Sequence, residues 1–225
     1  MSLPQPNALD HLIHRLAADL KPVRPLRPPA VRALAWLAVV AAMALGLLAF
    51  SDMGAVTRRL SAAPDMWISA VGSAATTVLA AIAAFELSMP DRSRRWALLP
   101  LPTLVLWLAA TGAGCLRSWL VPGASAATMG DEKDCLLFIV GFSVPLSVLL
   151  FLMLRQAFPL DPGLTAAMAG LAAAAAAATL LLLFHPFDAS ATDLTVHTFA
   201  VGLVVVASRM IGRRSLETPD PAAAA

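Results

Sequence analysis

Six apolar stretches, residues 33–50, 66–89, 96–116, 135–154, 164–184 and 194–211, each approach the length a helix needs to cross a bilayer, ~20 residues for ~30 Å of hydrocarbon. Hydrophobic residues make up 59% of the chain, charged ones 13%, and mean hydropathy is +0.78. A soluble core cannot absorb that much apolar surface in 225 residues. The expected fold class is therefore all-α, a polytopic membrane protein built as a six-transmembrane-helix bundle.

Basic residues fall into every second gap between these stretches, and that alternation sets an orientation. Arg15, Lys21, Arg24, Arg27 and Arg32 precede the first stretch, Arg92, Arg94 and Arg95 follow the second, Arg155 follows the fourth, and Arg209, Arg213 and Arg214 close the sixth. These are twelve of the sixteen Lys and Arg residues; Arg58, Arg59, Arg117 and Lys133 are the rest. The rich side is expected to face the cytoplasm, with both termini inside. The opposite loops carry Asp52, Asp65, Asp131, Glu132, Asp134, Asp188 and Asp193. Arg58 and Arg59 read as a tolerated exception.

Trp36, Trp67, Trp96 and Trp119 fall near the expected span ends, where amphipathic rings suit the headgroup layer. The first stretch is too long, and its polar leader too extended, for a cleaved signal peptide. Residues 1–32 are thus expected as a cytoplasmic head, 33–214 as the membrane domain and 215–225 as a disordered tail. The alanine run 172–178 is weakly lipophilic, and its small side chains place the fifth span inside the bundle. Pro145 is expected to bend the fourth.

Within the head, Leu9, Leu12, Ile13, Leu16 and Leu20 recur at three- and four-residue steps, marking one face of an amphipathic helix over 7–20 with Asn7 as N-cap. Pro22 ends it, and residues 23–29 favour an extended path. A helix this short is marginal alone, so its stripe needs a cover. Burying five aliphatic side chains yields ~8–15 kcal/mol gross at ~1.5–3 each, much of it offset by association costs. Three covers fit the pattern: a protein partner, the inner leaflet, or the bundle's own cytoplasmic face.

Cys115 and Cys135, the only cysteines, lie at the outer ends of the third and fourth spans, which form a hairpin around the loop 116–134. In an oxidising periplasm the pair suits a disulfide if its Cα atoms come within ~4.4–6.8 Å, worth ~3 kcal/mol by loop closure. A static disulfide and two unpaired small hydrophobes are equally compatible with the spacing. His185 and His197 reach the same side; with the cysteines they would supply two sulfurs and two nitrogens, a tetrahedral set for zinc or a transiently bound soft metal ion. No other cofactor is expected. Glu86 is the one carboxylate well inside a span, and pairing with Arg92, Arg94 or Arg95 is the favoured account of it. No nucleotide-binding glycine loop, zinc-protease helix or nucleophilic triad is evident, so an enzyme is not expected. The dispersed basic residues build no groove-facing surface, and direct DNA binding is not expected either.

Taken together, the leucine helix followed by Pro22, Val23, Arg24, Pro25 and Leu26, the loop Met89, Pro90, Asp91, Arg92, Ser93, the paired cysteines, and His185, Pro186, Phe187, Asp188 resemble the negative-regulator-of-sigma-F (NrsF) family of membrane anti-sigma factors. The resemblance implies a bacterial inner-membrane protein whose head sequesters an extracytoplasmic-function sigma factor. Leu9, Leu12, Ile13, Leu16 and Leu20 would grip it, with Asp19, Arg24 and Leu26 as flanking contacts, and Cys115 and Cys135 would sense a redox or heavy-metal signal. A different class, a small transporter or ion-handling protein using Glu86 and the histidines, is the alternative; it fits less well because transporters place binding groups near the midplane.

Overall fold

Backbone N–H and C=O groups find no water inside hydrocarbon, so a chain with this much apolar sequence satisfies them within helices. A computed structural model describes residues 6–18, 25–62, 64–120, 129–157, 159–183 and 191–217. Among these, eight α-helices run in the order α1 (Pro6–Ala18), α2 (Pro29–Leu48), α3 (Met53–Ala62), α4 (Pro64–Leu87), α5 (Leu101–Leu120), α6 (Met129–Leu154), α7 (Pro162–Leu181) and α8 (Ala191–Glu217). Two single 3-10 turns, Arg94–Leu98 and Arg155–Ala157, precede α5 and follow α6, and no strand occurs among the described residues.

Five helical segments are long and apolar enough to cross a membrane: Pro29–Leu48, Met66–Leu87, Arg94–Ala113, Leu137–Ala157 and Pro162–Leu181. In α8 the apolar part is the shorter Thr198–Gly212. The all-helical expectation holds, with five qualifying spans among the described residues.

Helix α7 is the centre of the bundle. It packs on α8, α4 and α6, and 83% of its span is buried, against 17% of the α2 span. Every alanine of the run 172–178 is buried, as its weak lipophilicity predicts. Lipid is as apolar as leucine, so small side chains that let backbones approach hold such helices together. Two glycines show how close the approach is. A β-carbon at Gly72 on α4 would lie 3.0 Å from Trp107 Cα on α5, and Gly212 on α8 faces Ala166 and Phe151. Hydroxyls on α4 add polar links: Ser69 Oγ lies 3.1 Å from Thr111 Oγ1, Thr76 Oγ1 3.1 Å from Thr103 Oγ1, and Ser73 Oγ 3.1 Å from Thr179 Oγ1.

Several local expectations are corrected. Helix α1 begins at Pro6, so Asn7 lies within its first turn instead of capping it; proline suits that position because its missing N–H would be unpaired there anyway. For the same reason α2 starts at Pro29, ahead of residue 33, with Pro28 at φ −50° as its extended cap. The connection between α2 and α4 contains α3, which packs on α4 and buries Val56. Arg58 is thus part of a helix, exposed on its surface. Trp36 is fully buried, its Nε1 donating to the Leu146 carbonyl at 3.2 Å, so it belongs to the core and not to a headgroup belt; Trp67, 55% exposed, fits the belt. Pro145 lies inside α6, so whatever bend it introduces does not end the helix. Among the described residues α5 packs on α4 and α8, and α6 on α7, α8 and α2; the connection 121–128 between them lies outside the described residues.

Candidate functional site

In α1 the side chains of residues 10–18 are all exposed. Leu12, Ile13 and Leu16 are 52%, 53% and 62% exposed, spaced so that they share one face of the helix. An uncovered aliphatic face on a 13-residue helix is marginal in water and needs a cover. Leu9 is helical, but its side chain lies outside the described residues, as do Asp19, Leu20 and Arg24 altogether. Leu26, 38% exposed, stands in the non-helical stretch 25–28 that leads into α2.

At the end of the bundle where α2 begins, α4 and α6 finish and α7 starts. Three polar contacts gather there. Arg92 Nε lies 3.1 Å from Glu86 Oε2, an ion pair in which the carboxylate is mostly buried, the arginine is half-exposed and the alignment falls short of a hydrogen bond. The expected pairing of Glu86 with Arg92 is thus observed. Arg94 reaches Asp161 at 3.5 Å, and Asp161 Oδ1 also accepts from Leu164 N at 3.1 Å, capping α7. Thr165 Oγ1 is shared between the Asp161 and Leu87 carbonyls at 2.9 and 3.3 Å.

The third contact was not evident from sequence. Arg32, in the first turn of α2, is 5% exposed: its Nη2 donates to the Met153 carbonyl in the last turn of α6, its Nη1 lies 3.4 Å from Ser88 Oγ beyond α4, and its guanidinium sits 4.9 Å from the Phe85 ring centroid. The last carbonyls of a helix lack intrahelical partners and carry the negative end of its dipole, so a cation between two such ends is well placed. The available signal was the spacing of Arg32 and Trp36, one turn apart and therefore on one face.

At the other end of the bundle, Cys115 lies inside α5, short of its end at Leu120, and Cys135 inside α6, past its start at Met129. Neither cysteine side chain is among the described residues. His185 lies outside them, and His197 is helical in α8 with its side chain outside them. Among the described residues no three His, Cys, Asp or Glu side chains gather as a metal site requires.

This arrangement provides a helix with an uncovered apolar face and a bundle whose end at the start of α2 is tied together by arginine contacts, that of Arg32 buried. Comparison with known proteins places it. No curated protein and no solved structure matches the chain. The model of the NrsF family, negative regulator of sigma F, matches residues 16–217, from the exposed face of α1 to the end of α8. The chain belongs to the NrsF family.

Proposed function

We propose that this chain is a membrane-bound anti-sigma factor that sequesters an extracytoplasmic-function sigma factor through its N-terminal segment, and releases it when a redox or heavy-metal signal acts on Cys115 and Cys135. Family membership makes the protein a negative regulator with a sigma factor as its partner. The observation that carries the finer reading is the uncovered face of Leu12, Ile13 and Leu16 on α1. Docking there would remove aliphatic surface from water at ~25 cal/mol per Å².

In this reading α8 is the sixth span and the bundle crosses the inner membrane. The end that carries Arg32, Arg92, Arg94, Arg95 and Arg155 faces the cytoplasm, which puts both termini there and the sigma-binding helix in reach of its partner. The cysteines then face the periplasm. Thiols there respond to oxidants and thiophilic metals according to their thiolate character and exposure. The protein acts by binding, not by catalysis and not by contacting DNA.

The test is co-purification of the sigma factor with the full-length chain from solubilised membranes. The parent chain should retain it, and Leu12→Asp with Leu16→Asp should lose it, because two carboxylates in a buried apolar contact are strongly unfavourable. Retention by the double variant would overturn the contact assignment.

A further inference from the structure

We infer that Arg32 and Trp36 form a clamp through which α6 sets the position of the N-terminal head, so that α6 is the element linking the cysteine-bearing end of the bundle to the sigma-binding helix. The inference rests on the proposed function and adds to it a route of regulation.

Helix α6 runs unbroken from Met129 to Leu154. Cys135 lies in its early turns and the Met153 carbonyl in its last. The element that receives that carbonyl is α2, which lies on the outside of the bundle with only 17% of its span buried and packs on α4 as well as on α6. Two side chains fix it to α6 at two heights. Arg32 donates to Met153 and Trp36 Nε1 donates to Leu146 at 3.2 Å, both residues almost completely enclosed.

A buried guanidinium makes this contact close to all-or-none. Withdrawn from the Met153 carbonyl, Ser88 and the Phe85 ring, Arg32 would be an enclosed charge without partners, a state that proteins avoid at high cost. The clamp is therefore either closed or open with Arg32 turned out to water, and such a two-state element is what a signal can bias. A place where α6 can bend lies beside this contact. Pro145 supplies no N–H to the α6 ladder next to the Leu146 carbonyl, and the buried hydroxyls of Ser143 and Ser147 on either side of it have no hydrogen-bond partner.

Motion of the start of α2 is passed to the stretch 25–28, because Arg32 lies one turn from Pro28 and Pro29, whose fixed φ angles stiffen the junction. The direction is part of the inference. With the clamp closed, Leu12, Ile13 and Leu16 are exposed and ready for a partner, so closure corresponds to sigma retention and opening to release.

The experiment uses the full-length chain in inside-out membrane vesicles, with two readings: sigma factor retained, and the rate of chymotrypsin cleavage after the exposed Leu26, since Arg24 and Arg27 precede prolines and resist trypsin. In Arg32→Gln, cleavage should accelerate and retention should fall about fivefold or more, the lower range of couplings between sites. Arg32→Lys, which keeps the charge but loses the planar fork, should lie between it and the parent. Trp36→Phe, which keeps the ring and loses the donor, should shift both readings the same way by less. Unchanged cleavage and retention in Arg32→Gln overturn the clamp; faster cleavage with unchanged retention overturns its role in release. If Arg32→Gln does not accumulate in the membrane, Arg32→Lys and Trp36→Phe decide, and parental behaviour in both overturns the inference. A parent chain that retains no sigma factor, while Arg32→Gln still speeds cleavage, overturns the proposed function and leaves the clamp standing.

Discussion

Gly170 on α7 approaches Ser208 on α8 so closely that a β-carbon at position 170 would stand 2.6 Å from Ser208 Oγ and 2.7 Å from Ser208 Cβ. The hydroxyl can rotate away, but the serine β-carbon cannot, and the Val204 carbonyl lies 3.1 Å off on the same helix. Gly170→Ala must therefore push α8 away from α7, at ~1–3 kcal/mol for an overpacked contact. Thermal unfolding in detergent should show the loss. Combining it with Ser208→Gly should recover most of the stability, whereas Ser208→Ala, which keeps the β-carbon, should not. Equal melting of Gly170→Ala and the parent would remove this contact from the account of how α7 and α8 pack.

The central place of α7 gives a contrast between two sites. Ala175 has no exposed surface and packs beside Trp107, while Leu45 on α2 is 68% exposed along the outside of the bundle. Ala175→Leu adds three carbons where no space exists and should cost ~1–3 kcal/mol or more. Leu45→Ala removes three carbons from a surface that lipid or detergent tails cover equally well, and should stay within ~0.5 kcal/mol. Denaturation of both variants in one micelle system compares them directly, and a larger loss at Leu45 would reverse the assignment of inside and outside.

What hydropathy and side-chain size encode was legible in advance. The apolar stretches coincide with α2, α4, α5, α6, α7 and the apolar part of α8, and the alanine run announced that α7 would be interior. The Glu86–Arg92 pair was legible because a carboxylate inside a span needs a cation within a turn or two. Residues whose role depends on a distant neighbour were not. Trp36 is as suited to a headgroup layer as to a core, and only the Leu146 carbonyl, far away in sequence, decides between them. Arg32 looked like one more topological charge because its partners are on α4 and α6. Helix α3 and the extensions of α5 and α6 past the apolar stretches escaped for another reason: hydropathy marks where a helix meets hydrocarbon, and a helix continues beyond that point for as long as its backbone bonds do.

The Glu86–Arg92 pair should respond unequally to loss of its two members. Glu86 is 14% exposed and Arg92 45%, with Asp91 another 3.9 Å from the Arg92 Nε. Glu86→Gln leaves an arginine that water and Asp91 can accommodate, so the loss should be ~1 kcal/mol or less, as for half-exposed ion pairs. Arg92→Gln leaves the mostly buried carboxylate without its cation and should cost more, ~1–3 kcal/mol. Paired unfolding measurements settle the order, and equal or reversed losses would show that the pair is not anchored on the buried side of Glu86.

The cysteines allow sensing to be separated from holding. On the proposed reading the sigma factor is gripped by Leu12, Ile13 and Leu16, at the opposite end of the bundle from Cys115 in α5 and Cys135 in α6. A ligand or oxidant can shift a conformational equilibrium only by as much as it discriminates between the two states. Cys115→Ser with Cys135→Ser should therefore leave sigma retention in unstressed cells within about twofold of the parent, a coupling difference below ~0.5 kcal/mol, and abolish induction of the target genes by oxidant or heavy metal. Transcript levels with and without stressor, alongside sigma co-purification, measure both. Full induction in the double variant would remove the thiols from the mechanism, and loss of retention without stressor would make them part of the grip instead of the sensor.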